Sequence, residues 1–341
     1  MLISIVPSDD EQNRKTGETV TYPDGHTQSY GYGYSLAGKK TRLVWADGTE
    51  INYGYSEHGE LKSMTIPNEG TIQINEYGWI APKKITLPGG TTQNKGYDGL
   101  LNLANTYGKQ QELTKRSRTE HNKSQNPWAY DENNRLRKIG AGSCGSANTI
   151  CYDYDEAGNQ TRKTEQNKTT NYRYDTNNRL IEVSQTANNT ERLLARYGYD
   201  PFNRRIWKEQ YADKDGQALT QARRTYFLYS DEGLIGEETQ NITLNEDGST
   251  TANGQPEITT QYGPRPDSHF TTGILFIKTK NSNNEDTFAY YHHDHLNTPI
   301  QATDKEGNVV WSAIYNALEL LAKLFSANDS GFSCMPLTGD F

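Results

Sequence analysis

No run in this sequence approaches eighteen consecutive apolar residues, so nothing in it reads as a membrane-spanning helix. Positive charge is scarce. The net charge is -8 and no basic cluster exceeds Lys115 to Arg118, which argues against a groove that tracks nucleic-acid phosphates. The opening M-L-I-S-I-V-P-S-D-D-E lacks the basic start and the long apolar run of a signal peptide. The expectation is a chain that stays cytoplasmic until exported by another route, or a piece of something longer. Cysteine is rare, with three in 341 residues. Cys144 and Cys151 flank a Gly/Ser-rich segment. Two ligands are too few for a structural metal site, which leaves free thiols or, in an oxidising compartment, a local disulfide. Apolar residues are few at 33%, too few for one thick core, and yet there are 23 Tyr, 8 Phe and 5 Trp. A disordered chain is poor in aromatics. Rings packed through their faces and wet at the hydroxyl suit many thin, half-buried sheets.

The aromatics come in pairs two residues apart, which on a strand share one face. Trp128 and Tyr130 precede Asp131, Asn134 and Arg135; Tyr152 and Tyr154 precede Asp155 and Gly158. Tyr172 and Tyr174 precede Asp175 and Asn178; Tyr197 and Tyr199 precede Asp200 and Asn203. Asp at the first turn position caps with its carboxylate, and Asn or Gly three residues later tolerates positive φ. A type I turn plus one left-handed residue is a standard hairpin loop with a bulge. Weaker copies sit at Tyr32/Tyr34 with Gly38 and at Tyr53/Tyr55 with Gly59. Successive second tyrosines from Tyr130 to Tyr199 are 24, 20 and 25 residues apart, the length of two strands and two turns. Such a period signals stacked hairpins in which each unit contacts its neighbours.

The fold class expected is therefore all-β: a continuous antiparallel β-hairpin ribbon, curved or spiral as a partial shell, with a short C-terminal helix. Residues 1–20 form a polar segment and residues 20–126 carry divergent repeats. Residues 127–235 carry the best repeats, and residues 236–288 form long hairpins or loops. Residues 289–316 hold the densest motif, and residues 317–341 form a divergent tail whose Leu318 to Phe325 run reads as helical.

The copies Y-D-E-N-N-R-L, Y-D-E-A-G-N-Q and Y-D-T-N-N-R-L resemble the RHS/YD-repeat family. The stretch Y-Y-H-H-D-H-L-N-T-P-I-Q-A-T-D-K-E-G-N-V-V-W-S-A-I-Y, with His292, His293, Asp294, His295 and Trp311, resembles that family's core signature. The resemblance implies a β-ribbon shell that encapsulates a toxin in contact-dependent bacterial antagonism, often exported by type VI secretion or related routes. It also implies partners: a toxin domain or other RHS segments, a secretion-system spike or a cell-surface partner. The family's D-P-x-G-L cleavage motif is lacking, and Tyr315-Asn316-Ala317-Leu318-Glu319 stands where Y-D-A-F-G is usual. The expectation is a shell fragment truncated before the cleavage motif and the toxin, not an enzyme, with no cofactor and no metal.

Strand alternation puts His293 and His295 on one face, and His292 and Asp294 on the other. Two ligands per face are too few for closed zinc, and Asp294 beside imidazoles also permits acid–base chemistry. A hydrogen-bonded polar corner that shapes the ribbon is the reading the resemblance favours. The alternative function is an extracellular carbohydrate-binding or adhesive module whose tyrosine faces stack on sugars. If the paired tyrosines are engaged strand to strand, they are not available for a ligand.

Overall fold

The computed structural model describes residues 3–78, 81–97, 103–108, 128–213, 216–266, 268, 273–281, 283–294, 298–314 and 323–326. The first sheet has ten strands: β1 (Ser4–Asp9), β2 (Lys15–Thr21), β3 (Thr27–Tyr34), β4 (Lys40–Val44) and β5 (Glu50–Tyr55) open it. It continues through β6 (Leu61–Ile66), β7 (Gly70–Gly78), β8 (Ala81–Thr86), β9 (Thr92–Tyr97) and β10 (Leu103–Gly108). The second has sixteen, beginning β11 (Trp128–Tyr130), β12 (Leu136–Ile139), β13 (Ile150–Tyr154), β14 (Gln160–Glu165) and β15 (Lys168–Tyr174). Then come β16 (Leu180–Ala187), β17 (Thr190–Tyr199), β18 (Arg205–Ala212), β19 (Ala218–Ser230), β20 (Gly233–Leu244) and β21 (Thr250–Pro264). The last are β22 (Ile274–Lys280), β23 (Asp286–His293), β24 (Pro299–Thr303), β25 (Val309–Ile314) and β26 (Lys323–Ser326).

Strand order in both sheets is the order of the chain, so within each sheet every described strand pairs with the next in sequence. The ribbon is all-β and antiparallel, as the aromatic pairs and turns imply. Its continuity holds within each sheet. The interval between the sheets includes residues 109–127, outside the described residues, where the aromatic-pair punctuation lapses.

One expectation is corrected, and the polar N-terminal segment gains elements. The polar segment 1–20 holds two paired strands, β1 and β2, joined by a turn from Asp10 to Arg14. The helix expected over Leu318 to Phe325 is not seen where it is described: Lys323–Ser326 is a strand paired with β25. Residues 318–322 lie outside the described residues. An eight-residue helix is marginal by itself, whereas the free edge of β25 offers a row of backbone donors and acceptors that the strand satisfies.

The chain divides into two compact units. Unit 1 comprises residues 1–116, 227–238 and 258–339; unit 2 comprises residues 117–226, 239–257 and 340–341. In unit 1 the first sheet faces strands of the second. The indole of Trp45 packs on Phe276 with ring centroids 5.8 Å apart. Ile51, Met64 and Ile72 are buried from the first sheet, and Tyr290 packs on Phe276 at 5.9 Å; Ile277 and Trp311 lie in a separate buried cluster with Tyr262 and Tyr291. Low apolar content is offset by polar ties between the layers. Lys278, itself buried, holds Asp47 at 2.5 Å and Asp286 at 2.9 Å. Lys40 holds the buried Glu232 at 2.5 Å, and the hydroxyl of Tyr32 donates to the same carboxylate. Buried ion pairs of this kind are hydrogen-bonded throughout, the condition under which they are tolerated. Unit 2 has a smaller apolar cluster of Val183, Leu194, Ala195, Tyr197 and Ala212.

Candidate functional site: the turn ladder and the signature segment

Each repeat turn is built by its Asp. At Asp131 the backbone closes by Asn134 N–H to Asp131 C=O at 3.0 Å and Asp131 N–H to Arg135 C=O at 3.0 Å. One carboxylate oxygen accepts from the amides of Asn133 and Arg135, and the other from Arg135 Nε at 2.8 Å. Asp175 repeats this with Asn177 and Arg179, and Asp200 with Phe202 and Arg204. At Asp155 the partner is Asn159, through backbone and side-chain amides. Desolvation pushes the Asp131 carboxyl up, but the Arg135 amide and guanidinium outweigh it and hold the pKa at about 2. Three residues on, φ is 58° at Asn134, 90° at Gly158, 59° at Asn178 and 64° at Asn203, and it is 79° at both Gly38 and Gly59. These are the left-handed positions of a type I turn with a bulge. The register accordingly shifts by one residue at the second tyrosine, as between Arg173 and Tyr174 and between Gly198 and Tyr199.

The bulge aims that tyrosine at the preceding repeat. Tyr154 O–H donates to Leu136 C=O at 2.8 Å, Tyr174 to Gln160 at 3.0 Å and Tyr199 to Leu180 at 2.8 Å. In unit 1, Tyr34 donates to Lys15, Tyr55 to Lys40 and Tyr77 to Leu61. The acceptor is always the fifth residue after the preceding turn's first. A cation from that turn lies over the same ring: Arg135 over Tyr154, Arg179 over Tyr199 and Arg14 over Tyr34, at 4.9 to 5.2 Å. The guanidinium also donates forward, from Arg135 to Asp155 C=O at 3.2 Å and from Arg179 to Asp200 C=O at 2.9 Å. Turn, tyrosine and arginine thus form one ladder that stacks hairpins.

The signature segment sits on β23 to β25. Trp311 is buried and meets the edge of Tyr291 at 6.2 Å, and Tyr291 meets His293 at 5.9 Å. His293 is buried; desolvation, with the nearby Lys95 cation, lowers its imidazole to about 3. Burial lowers His292 to about 4, and its Nε2 lies 3.2 Å from Thr303 Oγ1. Both rings are therefore neutral near pH 7. Asp294 opens a turn of its own: its amide donates to Thr298 C=O, and Thr298 N–H returns to its carboxylate at 2.9 Å. His295 lies outside the described residues. Gln93 Nε2 donates to His293 C=O at 3.0 Å, tying β9 to β23. Among the described residues no group of three His, Cys, Asp or Glu is placed to hold a metal ion. The structure thus puts His292, His293 and Trp311 into packing rather than into an open cleft. Cys144 and Cys151 are joined in a disulfide with Cα atoms 5.6 Å apart, closing the loop before β13.

Sequence reading missed three features. The turn from Asp10 to Arg14 has the same Asp-x-x-Asn-Arg spacing and ladder, with Asn13 at φ 56° and Arg14 donating to Ser35 C=O, but no aromatic pair marks it. The tyrosine-to-carbonyl bonds had a signal in the fixed place of the second tyrosine directly before the turn. The ties between layers join residues about 200 positions apart and had none.

Fold and ladder define a tyrosine-rich β-hairpin repeat protein. Residues 288–318 match the family model described as RHS protein, so the resemblance to RHS proteins is borne out at the signature. The chain is 27% identical over 168 residues to double-stranded DNA deaminase toxin A of Burkholderia cenocepacia (strain H111), an alignment covering 49% of this chain and 11% of that protein. Among solved structures it is similar to a crystal structure of TcdB2-TccC3-Cdc42, at 10% identity and TM-score 0.49, covering 94% of this chain and 20% of that one. It is also similar to the Photorhabdus luminescens Tc holotoxin pore, at 9% identity and TM-score 0.44, with the same coverage. The chain spans about a tenth of its curated relative and a fifth of these structures' chains.

Proposed function

We propose that this chain is a structural, encapsulating segment of an RHS-repeat shell in a bacterial contact-dependent polymorphic toxin system, and not itself an enzyme. The observation that carries this reading is the use of the second tyrosines of the pairs, together with the lone Tyr77. At Tyr34, Tyr55, Tyr77, Tyr154, Tyr174 and Tyr199 the hydroxyl is bonded to the neighbouring repeat. Wall building engages them, and a wall is what a shell needs. Partners on this reading are a toxin domain or further RHS segments, delivered by a secretion-system spike such as that of type VI secretion. The Cys144–Cys151 disulfide supports an exported, oxidising destination. Among the described residues no helix is long and apolar enough to cross a membrane.

The carbohydrate-binding reading draws on a few exposed rings, the adjacent Trp128 and Tyr130, 6.4 Å apart, and Phe202, at 39%, 53% and 72%. They do not make a row of repeat faces and support it less. Two assays decide. On expression in a bacterial cytoplasm the chain should neither arrest growth nor cut itself, and on a glycan array it should bind nothing. Growth arrest or scission seen by mass spectrometry overturns the structural reading; glycan binding lost in Tyr130→Ala installs the adhesive one.

A further inference from the structure

In unit 1, two of the buried polar atoms without a hydrogen-bond partner, one donor and one acceptor, belong to residues that line a common small cavity. Trp45, directly after β4, is 2% exposed, and its indole Nε1 has no hydrogen-bond partner. Gln261 on β21 is 2% exposed, and its Oε1 likewise has none. Both residues line a cavity of about 10 Å³, whose remaining wall includes Leu228, Ile235 and Ile258. That is about the smallest space that admits one water.

Neither polar group is free to turn away. The Trp45 ring is packed on Phe276. Gln261 sits opposite Lys278 in the β21–β22 register, on the face where Lys278 holds Asp47. The Gln261 Oε1, an acceptor only, is buried on that face without a partner. A cation would be repelled by the indole N–H dipole. An anion would be repelled by the Gln261 oxygen; the nearby carboxylates of Glu237 and Glu238 are engaged by Tyr262 and His26. An apolar occupant leaves both groups unmet. What fits is a neutral molecule, one sphere in size, that accepts once and donates once.

We propose that a single water molecule is a built-in ligand of this site, accepting from Trp45 Nε1–H and donating to Gln261 Oε1. It bridges the turn after β4 in one sheet to β21 in the facing sheet. Buried waters characteristically serve polar groups that the chain itself leaves unpaired. With the Lys278–Asp47 pair it adds to the polar ties between the layers.

The test is a crystal structure of the whole chain at a resolution that shows ordered water, together with the NMR nuclear Overhauser effect between the Trp45 indole proton and water. The expected result is one peak within about 3 Å of both atoms and a cross-peak of the sign given by a long-bound molecule. Trp45→Phe, which keeps the ring stack but removes the donor, is expected to lose the peak. A dry cavity, a direct Trp45–Gln261 hydrogen bond, or a water that persists unchanged in Trp45→Phe overturns the proposal. Should the variant fail to fold, the wild-type cross-peak and density decide it alone.

Discussion

Gly89 and Gly307, 218 positions apart, meet backbone to backbone: a Cβ built on Gly89 would lie 2.5 Å from Gly307 N. Gly89 is in the short turn Pro88–Gly90 before β9, with φ 77°, and Gly307 is the left-handed residue of the signature turn from Asp304 to Asn308, with φ 89°. The contact lets the signature turn seat on the opposite layer, and it sets a matched pair of substitutions. Gly89→Ala adds both a left-handed Cβ and a backbone clash. Gly90→Ala has the same φ of 77° but open space around its Cβ. The first is expected to cost about 2–4 kcal/mol and the second about 1 kcal/mol. Equal midpoints for the two variants in urea unfolding would show the close approach to be immaterial.

The tyrosine ladder makes a separable contribution. Tyr199→Phe keeps the ring under Arg179 and removes only the hydroxyl that donates to Leu180 C=O. The expected loss is about 0.5–1.5 kcal/mol, the net worth of one hydrogen bond. Tyr199→Leu also removes the ring's cation contact and should cost more. A Tyr199→Phe variant as stable as wild type would leave the ring alone as the structural element.

Much of this was legible along the chain, because a hairpin ribbon is a local code. Asp131 and Asn134 specify their turn with residues within four positions, and strand order simply follows chain order. The same locality made Asp10 to Arg14 readable in principle; weighting the aromatic pair above the Asp-x-x-Asn-Arg spacing hid it. The strand at Lys323–Ser326 was misread because the choice between helix and strand there belongs to the neighbouring edge of β25, not to the residues themselves. Clasps such as Lys40 to Glu232 were not legible, since nothing in either local sequence names a partner on another layer.

The turn code itself can be swapped. Gly158 has φ 90° and no atom within 4 Å of an added Cβ, so its substitution reports on backbone conformation alone. Val there should cost about 1–2 kcal/mol, because a β-branched side chain is excluded from the left-handed region. Asn, the residue found at the equivalent positions 134, 178 and 203, should cost less than half of that. Thermal midpoints of Gly158→Val and Gly158→Asn that coincide would count against the turn as described.

The signature histidines give the fold a pH dependence with a definite sign. In the folded chain His292 is lowered to about 4 and His293 to about 3, each first by desolvation, and His293 further by Lys95; Asp294 acts in the opposite direction on His293. An unfolded imidazole titrates near ~6.5. Between those values the unfolded chain binds more protons than the folded one, so stability falls as pH falls. The loss should begin as pH drops through about 6.5 and continue to about 4 and below. The clasp carboxylates Asp47 and Asp231, whose folded values are lowered, hold their contribution until the pH passes below their unfolded value near ~3.9, so they do not shape this window. Urea midpoints measured from pH 7.5 to 4.5 should therefore slope downward toward acid. His293→Gln, which keeps a hydrogen-bonding group but removes the titration, should flatten the slope even where it lowers stability overall. A slope identical in the variant and the wild type would remove His293 as its source.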